Sequence, residues 1–227
     1  MFPRLQITGP TNSKTPFRSC CVLRPNTFNR SLEVGLPDPS NSLAHHARIL
    51  SFRRLDTPTL ADPGISHWTR TFYCVETLYL SFPMRDNHEV SFTRLHGFFS
   101  TLKYLDLVHF CIPLSKIFNL ICSFPLLEDL GLFAISPNSG TEEWNPPSTS
   151  PRLTGTLSIS RRIYSVVRRL CDLPCGLHFS KIVVSRYNGL EDVASTMDLV
   201  SRCSDNLESL TISGCASSAS VLNFVTG

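Results

Sequence analysis

The sequence predicts an α/β chain laid out as an open stack of short units, each a β-strand followed by a helix or an irregular turn. Three observations predict it. A phrase of the form apolar-x-x-apolar-x-apolar recurs over most of the chain. Its copies stand at nearly constant intervals. Several of the stretches between copies carry helical spacing and end at a proline. Strand-helix alternation with short connections gives parallel strands, because each crossover returns the chain in the same direction.

The clearest copies are Leu102-Lys-Tyr-Leu105-Asp-Leu107, Leu127-Glu-Asp-Leu130-Gly-Leu132 and Leu207-Glu-Ser-Leu210-Thr-Ile212. Between the middle apolar residues Leu50, Leu78, Leu105, Leu130, Leu157, Ile182 and Leu210 the intervals are 28, 27, 25, 27, 25 and 28 residues. A fixed period in this range is the signature of leucine-rich repeats. The expected architecture is a leucine-rich repeat solenoid, an open right-handed horseshoe with a parallel sheet on its concave face.

Residues 1–44 stand apart, with six prolines, five basic and two acidic residues and no sustained periodicity. Proline breaks helices and blocks sheet ladders, so a Pro-rich irregular or disordered arm is expected there. Residues 45–227 form the repeat domain, of about seven irregular repeats. Its leading phrase is Ala47-Arg-Ile-Leu50-Ser-Phe52, followed by Val75-Glu-Thr-Leu78-Tyr-Leu80 and a helix candidate at 90–99. After Leu107, Pro113 suits a first helical turn, Leu114, Ile117 and Ile121 share a face, and Pro125 stops the helix. The segment 136–151 reads as a loop that lengthens one repeat, with Trp144 placed to cover apolar surface.

Leu153-Thr-Gly-Thr-Leu157-Ser-Ile159 fits the phrase with one extra residue. Ile163, Val166, Val167 and Leu170 then follow the i, i+3, i+4, i+7 pattern, with Pro174 beyond. Phe179-Ser-Lys-Ile182-Val-Val184 is the next strand, and Leu190, Val193, Met197 and Val200 read as the apolar stripe of the next helix. Arg161, Arg168 and Arg169 point away from the Ile163-Val167-Leu170 stripe, as a solvated helix face would.

Composition narrows the function. The 227 residues, 42% hydrophobic, suffice for a substantial core. A formal charge of +3 gives no electrostatic case for nucleic acid or an anionic membrane as partner. No apolar run nears the roughly 20 residues of a membrane span. The first ten residues lack a signal-peptide core, so an intracellular location, cytoplasmic or nuclear, is expected and the nine cysteines are read as thiols.

Chemical motifs are missing. His88-Glu89 opens like a zinc-protease helix, but Phe92 stands where the second His belongs. Cys171 and Cys175 have no second pair at zinc-finger spacing, and His45-His46 reads as a solvated pair before a strand. There is no Gly-rich phosphate loop, nucleophile elbow or paired-carboxylate constellation. The expectation is a non-enzymatic protein without cofactor or metal.

Ser-Phe-Pro-Leu-Leu-Glu-Asp-Leu at 123–130 and Pro-Arg-Leu-Thr-Gly-Thr-Leu at 151–157, with the strand phrases, resemble the leucine-rich region of fungal-type F-box proteins. The resemblance covers roughly residues 45–227. It implies a substrate-recognition subunit of an SCF-type ubiquitin ligase, with the ligase adaptor and a ubiquitination target as protein partners. The sequence departs from the family in two ways. Leu36-Pro37-Asp38-Pro39 is only an echo of the phrase that opens an F-box, and no helical pattern follows it. The Asn or Cys that follows a strand in the family appears at Cys215, while Phe110, Ile135 and Tyr187 occupy that place elsewhere. A stand-alone leucine-rich scaffold, or a truncated relative without a ligase link, is the alternative.

Period-two alternation sends the residues between the apolar ones to the opposite, concave surface. The expected partner-binding set is Thr77, Tyr79, Tyr104, Asp106, Asp129, Phe133, Lys181, Ser209 and Thr211. Tyr79, Tyr104 and Phe133 are the expected anchors, because aromatic side chains carry much of the energy of protein interfaces.

Overall fold

A leucine two residues from another, with tyrosine, serine or aspartate between, suits a pleated strand that buries one face and wets the other. Each phrase from Leu50 to Leu210 takes this form in the computed structural model. The structure describes residues 19–23, 47–53, 74–81, 100–136, 144–161, 163–186, 190–213 and 221–225. In chain order the elements are β1 (Ser19–Leu23), β2 (Ala47–Arg53), β3 (Thr77–Ser81), β4 (Tyr104–Val108), α1 (Leu114–Cys122), β5 (Asp129–Phe133) and β6 (Thr156–Ser160). Then come α2 (Ile163–Cys171), β7 (Lys181–Ser185), α3 (Leu190–Cys203), β8 (Ser209–Ser213) and β9 (Val221–Val225).

The strands form one sheet whose spatial order is the chain order, β1 through β9. From β1 to β8 every pairing is parallel. The last pairing, β9 on β8, is antiparallel, a departure from the all-parallel expectation. The connection 214–220 is shorter than the dozen or so residues that a parallel crossover needs, so the chain turns back on itself. A second departure is β1, which lies within the proline-rich arm. It occupies a stretch free of proline between Pro16 and Pro25, so its backbone can enter the ladder. The rest of the arm, the 90–99 helix candidate, His45-His46, His88-Glu89, Tyr187 and Cys215 lie outside the described residues.

Registers align without slippage from β2 to β8. Leu50, Leu78, Leu105, Leu130, Leu157, Ile182 and Leu210 are successive Cα partners, the same residues that mark the sequence period. A second inner row runs Leu80, Leu107, Leu132, Ile159, Val184 and Ile212. Val75, Leu102, Leu127, Leu153 and Phe179, which open the phrases, are fully buried beside them. All three described helices contribute buried side chains to this one core.

Helix α1 follows Pro113 at its N-cap position and ends before Pro125. It buries Ile117, Phe118, Leu120 and Ile121. Trp144 covers α1 as expected: its ring lies 5.4 Å from that of Phe118 and its Nε1–H donates to Asn119 Oδ1 at 3.0 Å. The Arg169 guanidinium lies over the indole, 5.7 Å from its centroid. Trp144→Phe keeps an aromatic ring there but removes the indole N–H. It is expected to cost about 1–2 kcal/mol, read as a lower urea midpoint at unchanged slope.

Helix α3 corrects the reading of its stripe. Val193 and Met197 are exposed, at 47% and 61%, while Val200 packs against the core as expected and the helix otherwise buries Asp192, Ser195, Thr196, Leu199 and Cys203. The polar residues can be buried because they are already bonded. Ser195 donates to the Glu191 carbonyl, Thr196 to the Asp192 carbonyl, and Asp192 accepts from the Tyr164 N–H at the start of α2. Their small size also suits the close contact of α3 with α2.

The turns that leave the strands share one conformation. His109, Ala134, Arg161 and Arg186, each the first residue after β4, β5, β6 and β7, have φ of 63°, 52°, 62° and 61°. Phe110 and Ile135, next in line, are buried in the core. No asparagine ladder is needed at this corner: Ser136 N–H donates to the Phe110 carbonyl, and Ala134 N–H to that of Ser160.

Candidate functional site

With the inner rows settled, the residues between them define the outer face of the sheet. Its first row runs Thr77, Tyr104, Asp129, and then Thr156, Lys181, Ser209. The second runs Tyr79, Asp106, Gly131, Ser158, Val183, Thr211. The third runs Ser81, Val108, Phe133, Ser160, Ser185, Ser213. All nine residues expected on this face are on these rows.

They are not one continuous site. Thr77, Tyr79, Tyr104, Asp106, Asp129 and Phe133 sit on three adjacent strands, β3 to β5, and form a cluster. Lys181, on β7, is exposed and stands beyond Thr156 from that cluster. Ser209 and Thr211, half-buried on β8, are one strand further.

Within the cluster the Tyr79 and Tyr104 rings lie 5.6 Å apart, tilted by 49°. Asp106 is on the expected face but not at its surface, being only 8% exposed. The reason lies across the strand. Its partner in register is Gly131, and a Cβ there would overlap the Asp106 carboxylate and crowd the Phe133 ring edge. The missing side chain lets the carboxylate and the ring meet over the Gly131 backbone. Gly155 plays the same part for Asp129, whose Oδ1 accepts from the Thr156 N–H. Neither glycine was among the expected site residues, although a glycine inside a strand phrase signals a close approach.

The electrostatics follow from this burial. Asp106 is pushed up from 3.8 to about 6 by desolvation, and a hydrogen bond from the Tyr104 hydroxyl pulls partly the other way. Tyr104 is held well above the usual phenol range, first by burial and then by the Asp106 charge. The Asp106 Oδ1 atom is buried and accepts no hydrogen bond. The strand residues of β3 to β6 on this face include two carboxylates, Asp106 and Asp129, and no cation.

Among the described residues no group of three His, Cys, Asp or Glu side chains could hold a metal. Cys171 and Cys175 both have free thiols, and Cys171 is pushed up to about 11 chiefly by burial. No helix among the described residues is long and apolar enough to cross a membrane. No protein-family model matches this chain, and neither a curated protein nor a solved structure matches it.

Proposed function

We propose that this chain is a leucine-rich repeat solenoid whose outer sheet face is the concave, partner-binding surface, and that it acts by holding proteins and not by catalysis. One observation carries the reading. Seven strands stay in phase on a single leucine row, which presents the tilted pair Tyr79 and Tyr104, with Phe133, side by side on the opposite face. Rigid aromatic residues on a strand scaffold suit an interface, because little side-chain entropy is lost on binding.

The resemblance of residues 123–130 and 151–157 to F-box proteins gives the reading its biological form. The chain would be a substrate-recognition subunit that brings a protein target to an SCF-type ubiquitin ligase. The second form is a stand-alone scaffold that binds its partner without the ligase.

Affinity capture from cell lysate with the full chain, read by mass spectrometry, tests both forms. The control is the Tyr79→Ala, Tyr104→Ala, Phe133→Ala triple variant. Recovery of the ligase adaptor and cullin with wild type supports the receptor form. Partners lost by the triple variant without ligase components support the scaffold. A folded triple variant that captures the same proteins as wild type overturns the surface assignment.

A further inference from the structure

We propose that the outer face over β3 to β5 receives a cationic side chain, lysine or arginine, of a protein partner, seated on the Tyr79, Tyr104 and Phe133 rings and paired with Asp106. The inference rests on reading this face as a partner surface, and it names the chemistry of the anchor.

Asp106 has an unmet need. A carboxylate has two oxygens with roughly four acceptor positions, and buried carboxylates are nearly always paired. Asp106 is more than nine-tenths buried, yet its Oδ1 atom has no donor. The Tyr104 hydroxyl donates a hydrogen bond to the carboxyl, which leaves Oδ1 unpaired. A neutral or apolar partner covering the cluster would seal an uncompensated charge, which is costly. A cation brings both the counter-charge and the missing donor.

The surroundings select the same ligand. The strand residues of β3 to β6 on this face supply no cation of their own, and Asp129 adds a second carboxylate beside Tyr104. The Tyr79 and Tyr104 rings, 5.6 Å apart and tilted by 49°, bring to this face the aromatic groups that attract an ammonium or a guanidinium. The chain uses this contact elsewhere, where Arg169 lies over Trp144. A metal ion fits poorly, since no third ligating side chain joins the two carboxylates among the described residues. Phe133 is half-buried, and its ring edge and Asp106 Oδ1 meet over Gly131, so the unpaired oxygen lies beside an aromatic ring of the cluster.

The test titrates the full chain, labelled with 3-fluorotyrosine, with the N-acetyl methylamides of arginine, lysine and norleucine, at about pH 8 where Asp106 is ionised. The inference expects saturable shifts of the Tyr79 and Tyr104 fluorine signals with the arginine or lysine derivative and none with norleucine. Asp106→Asn is expected to weaken the cation about tenfold or more. Tyr79→Leu, which spares the carboxylate, is expected to weaken it several-fold, and it decides the matter should Asp106→Asn fail to fold. Shifts that are absent, that norleucine matches, or that folded variants leave unchanged overturn the inference.

Lysate capture keeps this failure separate from that of the surface reading. Partners lost by the aromatic triple variant but retained by Asp106→Asn leave the surface standing and remove the cationic anchor. Cation binding that depends on Asp106, beside capture that ignores the triple variant, shows that the face binds cations but overturns its use by a protein partner.

Discussion

Leu105→Asp is expected to abolish folding, while Tyr104→Ala, one residue away, melts close to wild type. Leu105 is fully buried and lies between Leu78 and Leu130 in the inner row. Deleting a buried leucine side chain costs about 2–5 kcal/mol. Placing a carboxylate in that row, with no donor in reach, adds several kcal/mol more. Together these reach the roughly 5–15 kcal/mol that holds a domain together. In this continuous sheet the damage also spreads, because β4 is hydrogen-bonded to β3 on one side and β5 on the other. Tyr104 points the other way and is half-buried, so its loss is expected to cost roughly 1–2 kcal/mol. Far-UV circular dichroism and a thermal melt of both variants check this. Two wild-type melts, or two unfolded chains, would show that the assignment of faces is wrong.

The inner face was legible because its signal is repeated. One leucine proves little, but six leucines and Ile182 at intervals of 25 to 28 residues fix both the strand positions and their register. The same residues are the Cα partners found from β2 to β8. Helices α1 and α2 were legible for a related reason, since their apolar spacing and flanking prolines agree. In α3 the two signals parted. Val193 and Met197 have the spacing of a buried stripe, yet Ser195, Thr196 and Asp192 take the inner side by bonding backbone groups. Hydrophobicity alone cannot register a polar side chain whose hydrogen bonds are already made. The outer face was legible in membership but not in depth. Period two places Asp106 among the outer residues, and its burial depends on Gly131, which is 25 residues away in sequence and adjacent only once the register is known.

That burial makes Asp106→Asn the most informative single change on the outer face, and it is expected to stabilise the protein at neutral pH. Folding raises the Asp106 carboxyl from 3.8 to about 6. The folded chain therefore holds this proton more tightly than the unfolded chain. The contribution to stability is fully present below pH 3.8, falls as pH rises through the interval to about 6, and is gone above it. The full difference amounts to at most about 3 kcal/mol. Asparagine keeps the shape, carries no charge to desolvate, and can still meet the Tyr104 hydroxyl. The other ionisable groups packed around it, Tyr79 from β3, Tyr104 from β4 and Asp129 from β5, remain in both chains.

Urea midpoints measured from about pH 4 to pH 8 should converge at the acid end and separate in favour of asparagine above about pH 6. A variant less stable than wild type at the alkaline end would mean that the carboxylate is stabilised by a donor within the fold. With the expected result, the chain carries a destabilising charge on a face that could hold asparagine more cheaply. Strained or costly groups of this kind concentrate where a ligand relieves them. The same substitution that stabilises the free protein is then the one that loses the cationic partner, and that opposition between stability and binding is what separates a functional aspartate from an incidental one.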